Sequence, residues 1–187
     1  MFENGNVTIK DNRLAGSFPR WWPIFRVTFE MKIDSETKLL DDYMEVLRVT
    51  DQDADQNSLV PGRSIPEVWL CFPAVADWKC GQNSTCLFIL SYVSSNWHED
   101  VYLNISRDRF ISIEIAQWEK DGFIFYNVYM DGNLYVRMQN HTPANFTNVN
   151  VFTSDNVYSS FGEFGQLRNL EVATWHQQPR DCYISKP

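Results

Sequence analysis

Residues 110 to 170 constrain the fold more tightly than any other stretch. Ile111, Ile113 and Ile115 alternate with Ser112, Glu114 and Ala116, the period of a half-buried strand. Asp121-Gly122 and Asp131-Gly132 then punctuate two aromatic-rich runs. Asp-Gly favours two-residue hairpins because both central positions take positive φ. Strand, tight turn, strand, tight turn, strand is the signature of an antiparallel all-β sandwich.

The rest of the chain fits that frame. Asn4 to Ile9 and Asn12 to Phe18 read as short strands, and Phe25, Val27, Phe29, Met31 and Ile33 alternate with Arg26, Thr28, Glu30 and Lys32. One face of that strand meets core and the other meets water. "DYMEVLRVT", "SIPEVWLCF", "CLFILSYV" and "EDVYLNI" supply further strands, while Pro73 to Thr85 reads as an irregular excursion. The pattern predicts about eleven strands, no amphipathic helix, and one jelly-roll sandwich of two sheets across residues 1–187.

Composition removes several function classes. A formal net charge of −8 is the wrong sign for a nucleic-acid footprint. No window reaches the 18 or so apolar residues of a membrane span. The start "MFENGN" has neither the basic n-region nor the apolar h-region of a signal peptide, which leaves a cytosolic protein or a mature chain.

Cysteines and glycosylation sequons favour the second. Asn-x-Ser/Thr occurs at Asn6, Asn83, Asn104, Asn140 and Asn145, where chance gives roughly two. Val101, Leu103 and Ile105 share one strand face, so Asn104 lies on the other. Val7 and Ile9 oppose Asn6 in the same way, and Asn83 falls in the short loop between Cys80 and Cys86. A bulky glycan at these places leaves the core undisturbed. The expectation is a secreted glycoprotein with four cysteines in disulfides. Cys80 with Cys86 and Cys71 with Cys182 is one pairing, the second tying down a tail of about residues 176–187. Cys71 with Cys86 and Cys80 with Cys182 is the competitor.

The order of features resembles the concanavalin A-like superfamily, in particular the laminin G-like modules of secreted animal proteins. The resemblance rests on "FPRWW" before an alternating strand, "MEVLRVT", "PGRSIPEVWLCF", "NVYMDGNLYV", "PANFTNVNVFTSD" and "FGQLRNLEV". It spans roughly residues 10 to 175. It implies a jelly-roll fold and leaves the ligand open, since this scaffold hosts lectins, hydrolases and adhesion modules alike.

Candidate chemistry is sparse. Sandwich glycosidases place carboxylates in a Glu-x-Asp-x-Glu pattern on one strand. Asp51, Asp53 and Asp55 have that spacing but lack flanking apolar residues, and Glu99-Asp100 point to opposite faces. The expectation is therefore no enzyme. Asp51, Asp53, Asp55 and Asn57 offer the oxygen ligands that calcium needs, and many laminin G-like modules hold one calcium on a rim loop. Calcium is the one cofactor suggested. His98, His141 and His176 lack zinc-site companions. Ligand contacts are expected from loop aromatics and their neighbours, Trp78, Trp97, His98, Glu99, Tyr158 and Phe161, since sugar rings stack on exposed aromatic faces. Trp69, Trp118 and the Trp21-Trp22 pair are assigned to packing. The partner expected is a glycan or an extracellular protein, bound without catalysis. Self-association in a matrix or filament is the alternative.

Overall fold

The computed structural model describes residues 7–8, 13–36, 43–51, 64–71, 73–91, 99–153 and 165–177. In chain order the elements are β1 (Val7–Thr8), β2 (Arg13–Trp21), β3 (Ile24–Ile33), β4 (Met44–Thr50), β5 (Glu67–Leu70), α1 (Pro73–Cys80), β6 (Thr85–Ser91), β7 (Glu99–Ile105), β8 (Ile111–Lys120), β9 (Phe123–Met130), β10 (Asn133–Asn140), β11 (Phe146–Thr153) and β12 (Gly165–Trp175). They form two six-stranded sheets. Sheet one runs β1-β12-β3-β8-β9-β10 and sheet two runs β2-β11-β4-β5-β6-β7. Every pairing is antiparallel, so the expected sandwich is the observed one.

Alternation builds the core. Phe25, Val27, Phe29, Met31 and Ile33 of β3 are buried and face Leu47, Val49, Val68, Leu70, Leu87 and Ile89 of sheet two in one apolar cluster. Both Asp-Gly turns take the predicted form. Asp121 and Gly122 have φ of 54° and 79°, and Asp131 and Gly132 have 50° and 77°, so all four central positions are left-handed, as a type I′ turn requires.

The 73–85 excursion differs from expectation, because its first part is a helix. Proline is favoured at a helix's first position, where its missing N–H costs no bond. Gly81 follows the last residue at φ 105°, a backbone conformation that costs an L side chain dearly and ends the helix. α1 shows only one fully buried residue, Ala76, so no amphipathic stripe announced it. It packs on the outer face of sheet two, where Cys71, Ala76 and Cys86 form a second small core with Tyr43, Val75, Phe88 and Tyr102 around it. In the same face Arg48 Nε lies 2.9 Å from Glu67 Oε1, both side chains being buried.

Cys80 and Cys86 are bonded, with Cα atoms 5.9 Å apart. Cys71 is buried and has no disulfide partner among the described residues, so the expected Cys71–Cys182 pairing stays an expectation. Cys71 follows β5 directly, with its backbone N–H donating to the Cys86 carbonyl at 2.9 Å, and its side chain points into the small core under α1. Burial pushes its thiol up to about 12. Cys182 lies outside the described residues.

Candidate functional site

The outer face of sheet one is where polar chemistry converges. Strand register sets it out in rows. Glu171 of β12, Thr28 of β3, Glu114 of β8 and Tyr129 of β9 are successive cross-strand neighbours. The row one step along holds Arg168, Glu30 and Ser112. The row on the other side holds Ala173, Arg26, Ala116 and Asn127. The two alanines leave low ground on either side of the arginine.

These rows surround a hollow of about 220 Å³, with Tyr129, Asn169 and Glu171 in its lining. Arg26 Nη2 reaches Glu114 Oε2 at 3.3 Å. Arg168 Nε pairs with Glu30 Oε2 at 2.5 Å, and its guanidinium stacks 3.6 Å over the Phe110 ring. These pairs fix the walls. Among the described residues, the side chains of Thr28, Tyr129, Asn169 and Glu171 have no hydrogen-bond or ion-pair partner. Donors and acceptors thus line the hollow with their bonding capacity free.

Beyond the Arg26 row lies an apolar platform. Trp118 of β8 and Trp175 of β12 stack with ring centroids 5.7 Å apart and planes 26° from parallel. The strand between them contributes Ile24, which is buried. Both indoles are half-buried. Trp21 is packed in the main core and Trp69 is buried on the outer face of sheet two against Tyr43, whereas Trp118 belongs to this outer platform of sheet one.

The residues expected from sequence fall elsewhere. Trp78 sits on α1, on the outer side of the opposite sheet, and is 77% exposed. Glu99 opens β7. Trp97, His98, Tyr158 and Phe161 lie outside the described residues. Of the calcium set, Asp51 is described and already interacts within the chain; Asp53, Asp55 and Asn57 lie outside. Among the described residues no group of three or more His, Cys, Asp or Glu could hold a metal ion.

Four sequons fall in the described residues or beside them with different outcomes. Asn83, Asn104 and Asn145 are exposed. Asn140 is corrected: it is buried at 3% exposure, and its amide nitrogen, the glycan attachment atom, donates to Gln117 Oε1 at 2.9 Å. Buried this deeply, Asn140 has no room for a glycan in this fold. Asn6 lies outside the described residues.

The hollow was invisible in the sequence because Glu30, Glu114 and Glu171 come from three separate strands. Each occupies a polar phase of an alternating strand, which reads as an ordinary solvated face. Only the β12-β3-β8 order makes neighbours of them.

No protein-family model matches the chain, and no curated protein matches it in sequence. Solved structures do match it in shape. A SAP-like pentraxin from Limulus polyphemus superposes with a TM-score of 0.53 at 13% identity, over 94% of this chain and 74% of that one. The receptor binding domain of botulinum neurotoxin D gives 0.51 at 9% identity, over 92% and 45%. The binding domain of botulinum neurotoxin DC in complex with SialylT gives 0.50 at 10% identity, over 97% and 45%. The chain spans less than half the length of these toxin domains. Identities this low carry the fold alone, an antiparallel jelly-roll β-sandwich of two sheets.

Proposed function

We propose that this chain is a secreted, N-glycosylated binding module that recognises a glycan without catalysis. The observation that carries the reading is the hollow on sheet one, with its unpartnered Thr28, Tyr129, Asn169 and Glu171, next to the stacked Trp118–Trp175 platform. Sugars present hydroxyls that need hydrogen bonds and C–H faces that need apolar cover, and such a surface offers both. Neighbours of the same fold include toxin receptor-binding domains, which fits a binding role. The Cys80–Cys86 disulfide suits an oxidising compartment. Among the described residues no helix is long and apolar enough to cross a membrane.

A glycan array probed with and without EDTA tests the reading. Binding that weakens at least tenfold in Trp175→Ala and Glu171→Gln supports it. Binding lost with EDTA, restored by added calcium and weakened in Asp53→Asn supports a calcium ion on the loop containing Asp53, Asp55 and Asn57. Turnover of a polysaccharide that disappears in Glu114→Gln overturns the non-catalytic reading.

A second reading rests on a different surface. Leu134 and Tyr135, adjacent near the start of β10, are exposed large hydrophobics on an edge strand of sheet one. Edge strands with apolar side chains favour protein contacts, so an architectural module that self-associates is the alternative. A concentration-dependent mass in sedimentation, abolished by Tyr135→Lys, together with a blank array, selects it.

A further inference from the structure

The exposed Trp78 calls for a physical account. At 77% it is the most exposed large hydrophobic residue among those described, and it stands on a helix pinned to the sheet by Cys80–Cys86. The Lys79 ammonium lies 4.0 Å from the Trp78 ring centre and 4.8 Å from that of Tyr102. One cation therefore sits against both rings and ties them to a common patch. Tyr102 is backed by Phe88, stacked at 4.9 Å, so its ring is held in place.

Asn104 lies at the border of that patch. It sits opposite Cys86 in the ladder, is exposed, and shares the outward face of β7 with Tyr102, about 7 Å along the strand. Its Nδ2 donates to the Cys80 carbonyl at the end of α1, at 3.3 Å. N-glycosylation replaces one hydrogen on Nδ2 and leaves the other, so the nitrogen keeps a hydrogen with which to donate to the Cys80 carbonyl. This bond directs the Asn104 side chain towards α1, and the first sugar leaves beside the helix that carries Trp78.

We propose that a glycan on Asn104 packs its first sugar against Trp78 and Tyr102, making the exposed tryptophan a cradle for the protein's own glycan. The inference rests on the secretory reading above. The apolar face of an N-acetylglucosamine ring covers aromatic surface that water otherwise meets, and its acetamide carbonyl accepts a hydrogen bond from the Lys79 ammonium. Trp78 is then occupied in the mature protein and unavailable to a ligand from outside. The ligand surface is left to sheet one.

The test uses protein from a eukaryotic secretory host and four versions: wild type, Ser106→Ala, Trp78→Ala and the double variant. Ser106→Ala abolishes the sequon while keeping Asn104. Glycopeptide mass spectrometry should find Asn104 occupied. Ser106→Ala should lower Tm by roughly 2–4 °C, the shift that a contact of aromatic-stacking size gives a chain of this length, and by under about 1 °C when Trp78 is already alanine. Hydroxyl-radical oxidation of Trp78 should rise severalfold in Ser106→Ala. If Asn83 or Asn145 is glycosylated but Asn104 is bare, the inference falls and secretion stands. If no sequon is occupied, both fall. If Asn104 is occupied and Trp78 oxidises equally with and without its glycan, the cradle is wrong.

Discussion

The hydroxyls of Ser91 on β6 and Tyr126 on β9 lie 2.6 Å apart in the core, joining sheet two to sheet one through a hydrogen bond that water does not reach. Tyr126→Phe removes one partner and leaves the Ser91 hydroxyl buried. The expected cost is about 1–2 kcal/mol, the desolvation penalty of one orphaned group. Adding Ser91→Ala should cost less than the sum of the two single changes, because the orphan disappears. Urea titrations of the three variants measure both numbers.

Arg48 and Glu67 form a buried ion pair with a sharper asymmetry. Removing only one charge strands the other away from water, so Arg48→Met should destabilise by about 3–5 kcal/mol. Arg48→Met with Glu67→Leu should recover most of that loss, since an apolar pair carries no desolvation debt. A double variant no more stable than the single one would show that other bonds to these side chains dominate.

Asp131 sets an acid limit on the β9–β10 hairpin. Partial burial alone would raise its carboxyl, but the Ser112 backbone N–H and the Arg109 guanidinium outweigh that and hold it below the usual 3.8. A carboxylate lowered by folding stabilises fully above its unfolded value and loses that contribution as pH falls through its folded value. The Tm gap between wild type and Asp131→Asn should therefore be widest at pH values above the usual 3.8 and narrow as the pH falls below it. A gap that grows on acidification would contradict the assignment.

Cys71 should behave as an inert thiol. Only the thiolate reacts, and burial keeps this group protonated up to about 12. Iodoacetamide at pH 8 should leave Cys71 unmodified in the native protein and label it on unfolding in guanidinium. Native labelling would mean that the small core under α1 opens readily.

The strands were legible because alternation is a local signal. Ile111, Ile113 and Ile115 announced β8, and the two Asp-Gly pairs announced their turns, from a few consecutive residues each. α1 was not legible, since Asp77, Trp78 and Lys79 are all exposed and only Ala76 is fully buried. The Cys80–Cys86 bond could be read because it closes a short loop, whereas Cys71 depended on where the tail goes. Asn140 carried a usable warning: it shares the phase of Val136 and Met138 along β10, hence their inward face. The hollow had no such signal, because register between distant strands is a property of the fold and of no single segment.

Sheet order has a consequence for how the chain is made. β12 lies between β1 and β3, and β11 lies between β2 and β4, so the last two strands are the inner partners of the first four. A product ending after β10 leaves β2 without a neighbour and β3 and β4 each open along one flank, with Val149, Val151 and Leu167 missing from the core. Nothing resembling the finished surface exists until the final strand arrives. The hollow, whose wall includes Asn169 and Glu171 of β12, is complete only in a chain that carries that last strand.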